Sequence, residues 1–149
     1  CSKGTYIRTL CADLGERLGC GACMSALRRL RCGCFTLETA VSLEDIADGK
    51  GRETLLSRVI PLSDGLRNVA AIEISEELSG RIRDGFQPDG STLREYHIPS
   101  LADGDMVKFL TSSGGLVAVA RFLYASDQLA VSDMGQPAVR ILRVFHDRA

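Results

Sequence analysis

The hydrophobic period changes once along this 149-residue chain, and that change limits what it can fold into. Near the start, Ile7, Leu10, Cys11, Leu14 and Leu18 follow the i, i+3, i+4 spacing of one helical stripe. A turn-prone run, Asp-Gly-Leu-Arg-Asn, occupies residues 64–68. Beyond it the apolar residues come in short runs suited to strands, over 69–74, 106–110, 116–124, 129–131 and 138–145. One helix separates the first two. A helical stripe followed by closely spaced strands predicts an α+β chain with a small barrel at its C-terminal end.

Punctuation residues sharpen this outline. Thr5 or Thr9 caps the first helix, which becomes regular at about Thr9, and Gly19 and Gly21 end it. Ser25 caps a short turn over 26–29. Residues 30–37 read as one strand, with Leu30, Cys32, Cys34 and Thr36 on one face. Ser42-x-x-Asp45 is a capping box, and a helix over 54–59 stops before Pro61. Ser75 caps a helix that runs to about Asp84 and ends at Gly85. A turn-rich loop follows, and Ser113-Gly114-Gly115 joins two strands as a hairpin.

Charge and cysteine narrow the function classes. The net charge is −1, which by itself points to no polyanion partner, but the cations are unevenly placed. Residues 1–40 hold Lys3, Arg8, Arg17, Arg28, Arg29 and Arg31 against Asp13, Glu16 and Glu38. Residues 69–149 carry eight basic and eleven acidic side chains. A polyanion therefore docks at the N-terminal end. No apolar run approaches membrane-spanning length and Cys1-Ser2-Lys3 leads into no signal-peptide core, so the expected location is the cytoplasm. All six cysteines fall at or before Cys34, where Cys20-x-x-Cys23 and Cys32-x-Cys34 allow a four-thiolate zinc site as an alternative. The favoured reading is reduced thiols packed as small hydrophobes, with no metal.

Residues 3–8, Lys-Gly-Thr-Tyr-Ile-Arg, concentrate chemistry in one short stretch. Gly4 lets backbone approach a ligand closely. Tyr6 offers a flat face for a base and a phenol able to relay a proton. Arg8 offers a planar fork matched to carboxylate or phosphate. In an extended segment Tyr6 and Arg8 point the same way, so convergence needs this stretch to be strand-like or in transition.

Two stretches, CSKGTYIRTLCADLGERLGCGA and ALRRLRCGCFTLETAVSLEDI, closely resemble the bacterial tRNA pseudouridine-55 synthase family of the TruB type, over about the first 65 residues. The remainder resembles, by element order, that family's C-terminal PUA-type RNA-binding domain. The resemblance implies a C-terminal portion of a mixed α/β catalytic domain over 1–66 and a PUA-like β-barrel over 69–149. It implies isomerisation of the T-loop uridine of tRNA by base flipping, with the T-arm as partner and neither metal nor cofactor. By this likeness Arg8 pairs with the family's essential Asp, and Tyr6 stacks on the flipped base and takes the proton from C5. Leu27 packs on the base, and Lys3, Gly4, Arg28, Arg29 and Arg31 contact the substrate. The family's Asp lies in a Gly-x-Leu-Asp-Pro-x-Ala-Thr-Gly segment. Asp13, Asp45, Asp64, Asp84 and Asp133 all lack those neighbours. The expectation is a C-terminal part of such an enzyme, inactive alone and prone to self-association or strand exchange; the alternative is a stand-alone RNA-binding module without catalysis.

Overall fold

A computed structural model describes residues 1–2, 4–47, 51–130 and 135–146, and the chain divides into two compact units, Cys1–Leu55 and Leu56–Ala149. Lys3 lies outside the described residues.

The first unit is built around α1 (Ile7–Arg17). Its end follows the expected glycine logic. Gly19 adopts φ +71°, its N–H donates to Glu16 O at 3.0 Å, and Cys20 N–H donates to Gly15 O at 3.2 Å. These two bonds complete a Schellman cap, satisfying carbonyls the helix leaves open. The start differs from expectation. Helical backbone begins at Ile7, two residues before Thr9, and the N-cap is Tyr6, with no side-chain cap bond from either threonine. A turn closed by Thr5 N–H donating to Ser2 O at 3.3 Å, with Gly4 at φ +92°, delivers the chain directly into the helix.

Residues 26–29 form no helical turn after Ser25. The single strand expected over 30–37 is a tight hairpin of β1 (Arg31–Cys32) and β2 (Phe35–Thr36), paired Arg31↔Thr36 and Cys32↔Phe35. Gly33 at φ +60° takes the first central position, as a type II′ turn requires. Alternation alone did not show that glycine would reverse the chain. A 3₁₀ turn (Leu37–Thr39) leads to α2 (Leu43–Ala47). Its capping box is formed as expected: Asp45 N–H donates to Ser42 Oγ at 3.1 Å, and Ser42 N–H donates to Asp45 Oδ2 at 3.3 Å. Helix α3 (Gly51–Arg58) starts earlier than expected and stops short of Pro61.

The cysteines correct the packing expectation. Cys1, Cys20, Cys23, Cys32 and Cys34 are exposed and Cys11 is half-buried, all as free thiols. Nothing in this unit covers them: among its described residues no apolar side chain is buried. Among the described residues no three His, Cys, Asp or Glu side chains converge as a metal site would require.

The second unit holds the core. Helix α4 (Leu62–Gly65) precedes β3 (Ala70–Glu73), α5 (Glu76–Arg83), α6 (Gly90–Leu93), β4 (Met106–Leu110), β5 (Leu116–Phe122) and β6 (Val139–Val144). The four strands form one sheet in the order β3-β4-β5-β6, parallel at β3–β4 and antiparallel elsewhere. One face buries Ile72, Val107, Phe109, Ala118, Ala120, Phe122 and Val139 with Leu78 and Ile82 of α5. Ser75 caps α5 as expected, accepting from Leu78 N–H at 3.2 Å, and Gly85 at φ +98° ends it. The turn-rich loop contains α6, which reading the loop by its Pro and Gly content missed. Its signal was Asp89, whose Oδ1 accepts Thr92 N–H at 2.8 Å. The strand expected over 129–131 is replaced, where described, by a 3₁₀ turn, Ser126–Ala130.

Candidate functional site

Tyr6 sits at the N-cap of α1 with extended backbone (φ −95°, ψ 107°) and is 71% exposed. Arg8 is in the first helical turn and is also exposed. The extended stretch needed to point both side chains one way therefore ends at Tyr6. Both residues stand at a helix start instead, one just outside it and one just inside.

That helix start is electrostatically unusual. Its first turn holds no acidic residue, although an α-helix N-terminus carries a partial positive charge and favours anions. Arg8 adds a full cation to it. The arrangement disfavours the isolated helix by about 0.3–1 kcal/mol and is relieved by an anion. A carboxylate or phosphate would meet a guanidinium fork and the free N–H groups of the first turn together.

Gly4 lies beside this point with open space where a Cβ would stand. Its role in the fold is the turn before α1, which its positive φ permits. Leu27, Arg28 and Arg29 lie in the irregular segment before the hairpin, and Arg31 opens β1; all four are exposed, Leu27 at 63%. The three arginines make no ion pair among the described residues. Among the described residues no hydrogen bond or ion pair links them to Tyr6 or Arg8, so the N-terminal cations lie in one unit without being bonded into one constellation. The second unit has a pocket of about 220 Å³ lined by Ser75, Glu77, Arg81, Thr92, Glu95 and Tyr96 among others; of these the sequence singled out Ser75 alone, and only as a helix cap. Ser75 Oγ and Tyr96 OH lie 2.9 Å apart there.

The sequence model of the tRNA pseudouridylate synthase B C-terminal domain matches residues 8–66. The tRNA pseudouridine synthase B of Syntrophus aciditrophicus (strain SB) is 99% identical over all of this chain, which covers 48% of that protein. The chain belongs to the tRNA pseudouridine synthase B family. The member from Geobacter sulfurreducens is 36% identical over 98% of the chain, which covers 46% of it. The chain thus spans about half the length of the curated family members it matches. Among solved structures, the archaeal box H/ACA sRNP Nop10–Cbf5 complex matches 96% of this chain and 48% of its own, with 27% identity and a TM-score of 0.71. An H/ACA RNP bound to a substrate RNA containing 2′-deoxyuridine matches 97% of this chain and 48% of its own, with 27% identity and a TM-score of 0.73. Agreement over nearly the whole chain supports the α+β class expected for the family, with a PUA-like β domain at the C-terminal end.

Proposed function

We propose that this chain is part of a tRNA pseudouridine synthase that flips the T-loop uridine out of its stack and converts it to pseudouridine in the cytoplasm. Residues 1–66 belong to the catalytic domain and residues 69–149 to a PUA-like RNA-binding domain. The observation that carries the site is Arg8 at an acid-free helix start beside the exposed Tyr6. Arg8 holds an Asp carboxylate, supplied by a segment outside these 149 residues, ionised and aimed. Tyr6 stacks on the everted base, with Leu27 packing against it. In the reaction the C1′–N1 bond breaks, the ring turns, and a C1′–C5 bond forms. The Tyr6 oxygen takes the proton leaving C5 as it gives up its own hydroxyl proton to water, and water returns a proton to N1, so the base loses one proton and gains one. Lys3, Arg28, Arg29 and Arg31 meet backbone phosphate, and Gly4 lets the strand pass close.

The test is uridine-to-pseudouridine conversion on a T-arm hairpin RNA. In a protein of the relatives' full length carrying these residues, Tyr6→Phe and Arg8→Ala each lower kcat/KM by at least about 100-fold. The 149-residue chain alone forms no pseudouridine. Arg8→Glu in that chain raises the stability of α1 by about 0.3–1 kcal/mol, the opposite of its effect on catalysis. Unchanged turnover in both variants, or turnover by the 149-residue chain, refutes these roles.

A further inference from the structure

Cys20 and Cys23 form a Cys-x-x-Cys motif that neither the fold nor the proposed reaction uses. Both are exposed free thiols. They bracket Gly21 and Ala22 just after α1, and no regular structure follows until β1 at Arg31. One end of the motif is held. Cys20 N–H and Gly21 N–H both donate to Gly15 O, at 3.2 and 3.0 Å, and the Ala22 backbone lies against Gly15. The other end is free: among the described residues no hydrogen bond holds Cys23. A fully extended chain would set the two Cα atoms about 10 Å apart, and a disulfide needs less than about 7 Å. Gly21, at φ +66°, turns the chain between them and shortens that reach.

The other cysteines suit ring closure less. Cys11 is half-buried on α1. Cys32 and Cys34 flank Gly33 in the hairpin, where the Cys32↔Phe35 pairing fixes the backbone, and a ring closed over one residue there would be strained. Thiol–disulfide exchange needs an accessible thiol to be attacked or to attack, and a second thiol within reach to resolve the mixed disulfide. We propose that Cys20 and Cys23 are a reversible dithiol–disulfide pair that exchanges with a low-molecular-weight disulfide. The Cys23 thiolate attacks one sulfur of that disulfide, whose S–S bond breaks and releases the first small thiol. The Cys20 thiolate then displaces the second small thiol, and the Cys20–Cys23 bond forms. The cysteines lose two electrons, the small disulfide gains them, and the two protons given up by the cysteines end on the two small thiols. The closed ring fixes Cys23 to the end of α1, and with it the start of the irregular run that carries Leu27, Arg28 and Arg29. That displaces the run from its fit to substrate and lowers turnover, a consequence that rests on the substrate contacts proposed above.

Oxidation of the 149-residue chain by oxidised glutathione, followed by acid quench, alkylation of the remaining thiols and tryptic peptide mass analysis, tests the pair. Residues 18–28 contain no internal Lys or Arg, so Cys20 and Cys23 leave in one peptide, apart from the other four cysteines. That peptide becomes lighter by the mass of two hydrogens, resists alkylation, and exceeds its glutathione adduct by at least about tenfold. Dithiothreitol restores the dithiol. C20S and C23S each leave one thiol, which carries glutathione and closes no ring. A wild-type peptide that ends as the glutathione adduct, as a cross-link between chains or as the unreacted dithiol overturns the pair, whatever becomes of the proposed reaction. In a protein of the relatives' full length, the same oxidation lowers kcat/KM on a T-arm hairpin by at least about fivefold, reversibly, while C20S/C23S stays within about twofold of its untreated value. A closed disulfide with unchanged turnover, or an equal loss in C20S/C23S, overturns the consequence for turnover. A reduced full-length protein that forms no pseudouridine overturns the proposed function instead, and the peptide result still decides the pair.

Discussion

Gly15 has no side chain, and the backbone of Gly21 and Ala22 occupies the volume a Cβ would need; the added atom would also lie 2.7 Å from Ala22 Cβ. Alanine is the better helix former by about 1 kcal/mol, yet it cannot be placed there without moving the chain that returns after the cap. Gly15→Ala therefore lowers stability despite its propensity, and loss of amide-exchange protection at Cys20 and Gly21, whose N–H groups both donate to Gly15 O, reports it. Asp89 makes the opposite kind of point. The Thr92 backbone N–H, then the Thr92 and Ser91 hydroxyls, hold its carboxyl down at about 2 from an ordinary value of 3.8. A depressed folded-state pKa gives stability that is complete above about pH 4 and lost as pH falls through 2. Asp89→Ala should cost about 1 kcal/mol at neutral pH, allowing for solvent screening, and almost nothing near pH 2. Asp89→Asn should keep most of the cap and flatten that pH dependence, as thermal melts across the acid range will show.

At the scale of elements, α4 is tied to the sheet by one side chain. Lys108 on β4 is only 8% exposed, and its Nζ donates to Ser63 O at 2.8 Å and Leu66 O at 3.1 Å. These are carbonyls at the end of a helix only four residues long, which has little cooperative stability of its own. Lys108→Met keeps the aliphatic stem and removes the donors. It should destabilise the second unit by about 1–3 kcal/mol and open residues 61–69 to limited proteolysis ahead of the sheet. Protection of that segment equal to wild type would show that the contact anchors nothing. The helix caps were legible because capping is local: Ser42, Ser75, Gly19 and Gly85 each act on residues within about one turn. The hairpin at Gly33 and helix α6 escaped because alternation and turn content describe composition, while backbone reversal depends on one residue's φ.

Across the whole molecule, the units differ in what they bury. The core of the second unit is continuous from Ile72 to Val139. In the first, Leu10, Leu14, Leu18, Leu27, Leu30 and Leu43 are all exposed, Leu43 at 81%. Apolar area on this scale drives association. Sedimentation under reducing conditions, which exclude cross-linking through the exposed thiols, should give a weight-average mass that rises with concentration. A single monomeric species throughout would count against it. The helical stripe of α1 forms as its spacing predicts, but periodicity names a face without naming what lies against it.

The amino-acid sequence alone determined the local devices and the family, because a cap or a motif is written within a few neighbouring positions. Tertiary structure decided what depends on distant partners. It left every cysteine but the half-buried Cys11 in solvent where packing was expected, and it laid β3 parallel to β4. It also brought Arg121, Arg140 and Arg143, which are spread over two strands, onto one side of the sheet. Register across a sheet is set by which strands find each other, and no spacing along one strand encodes it.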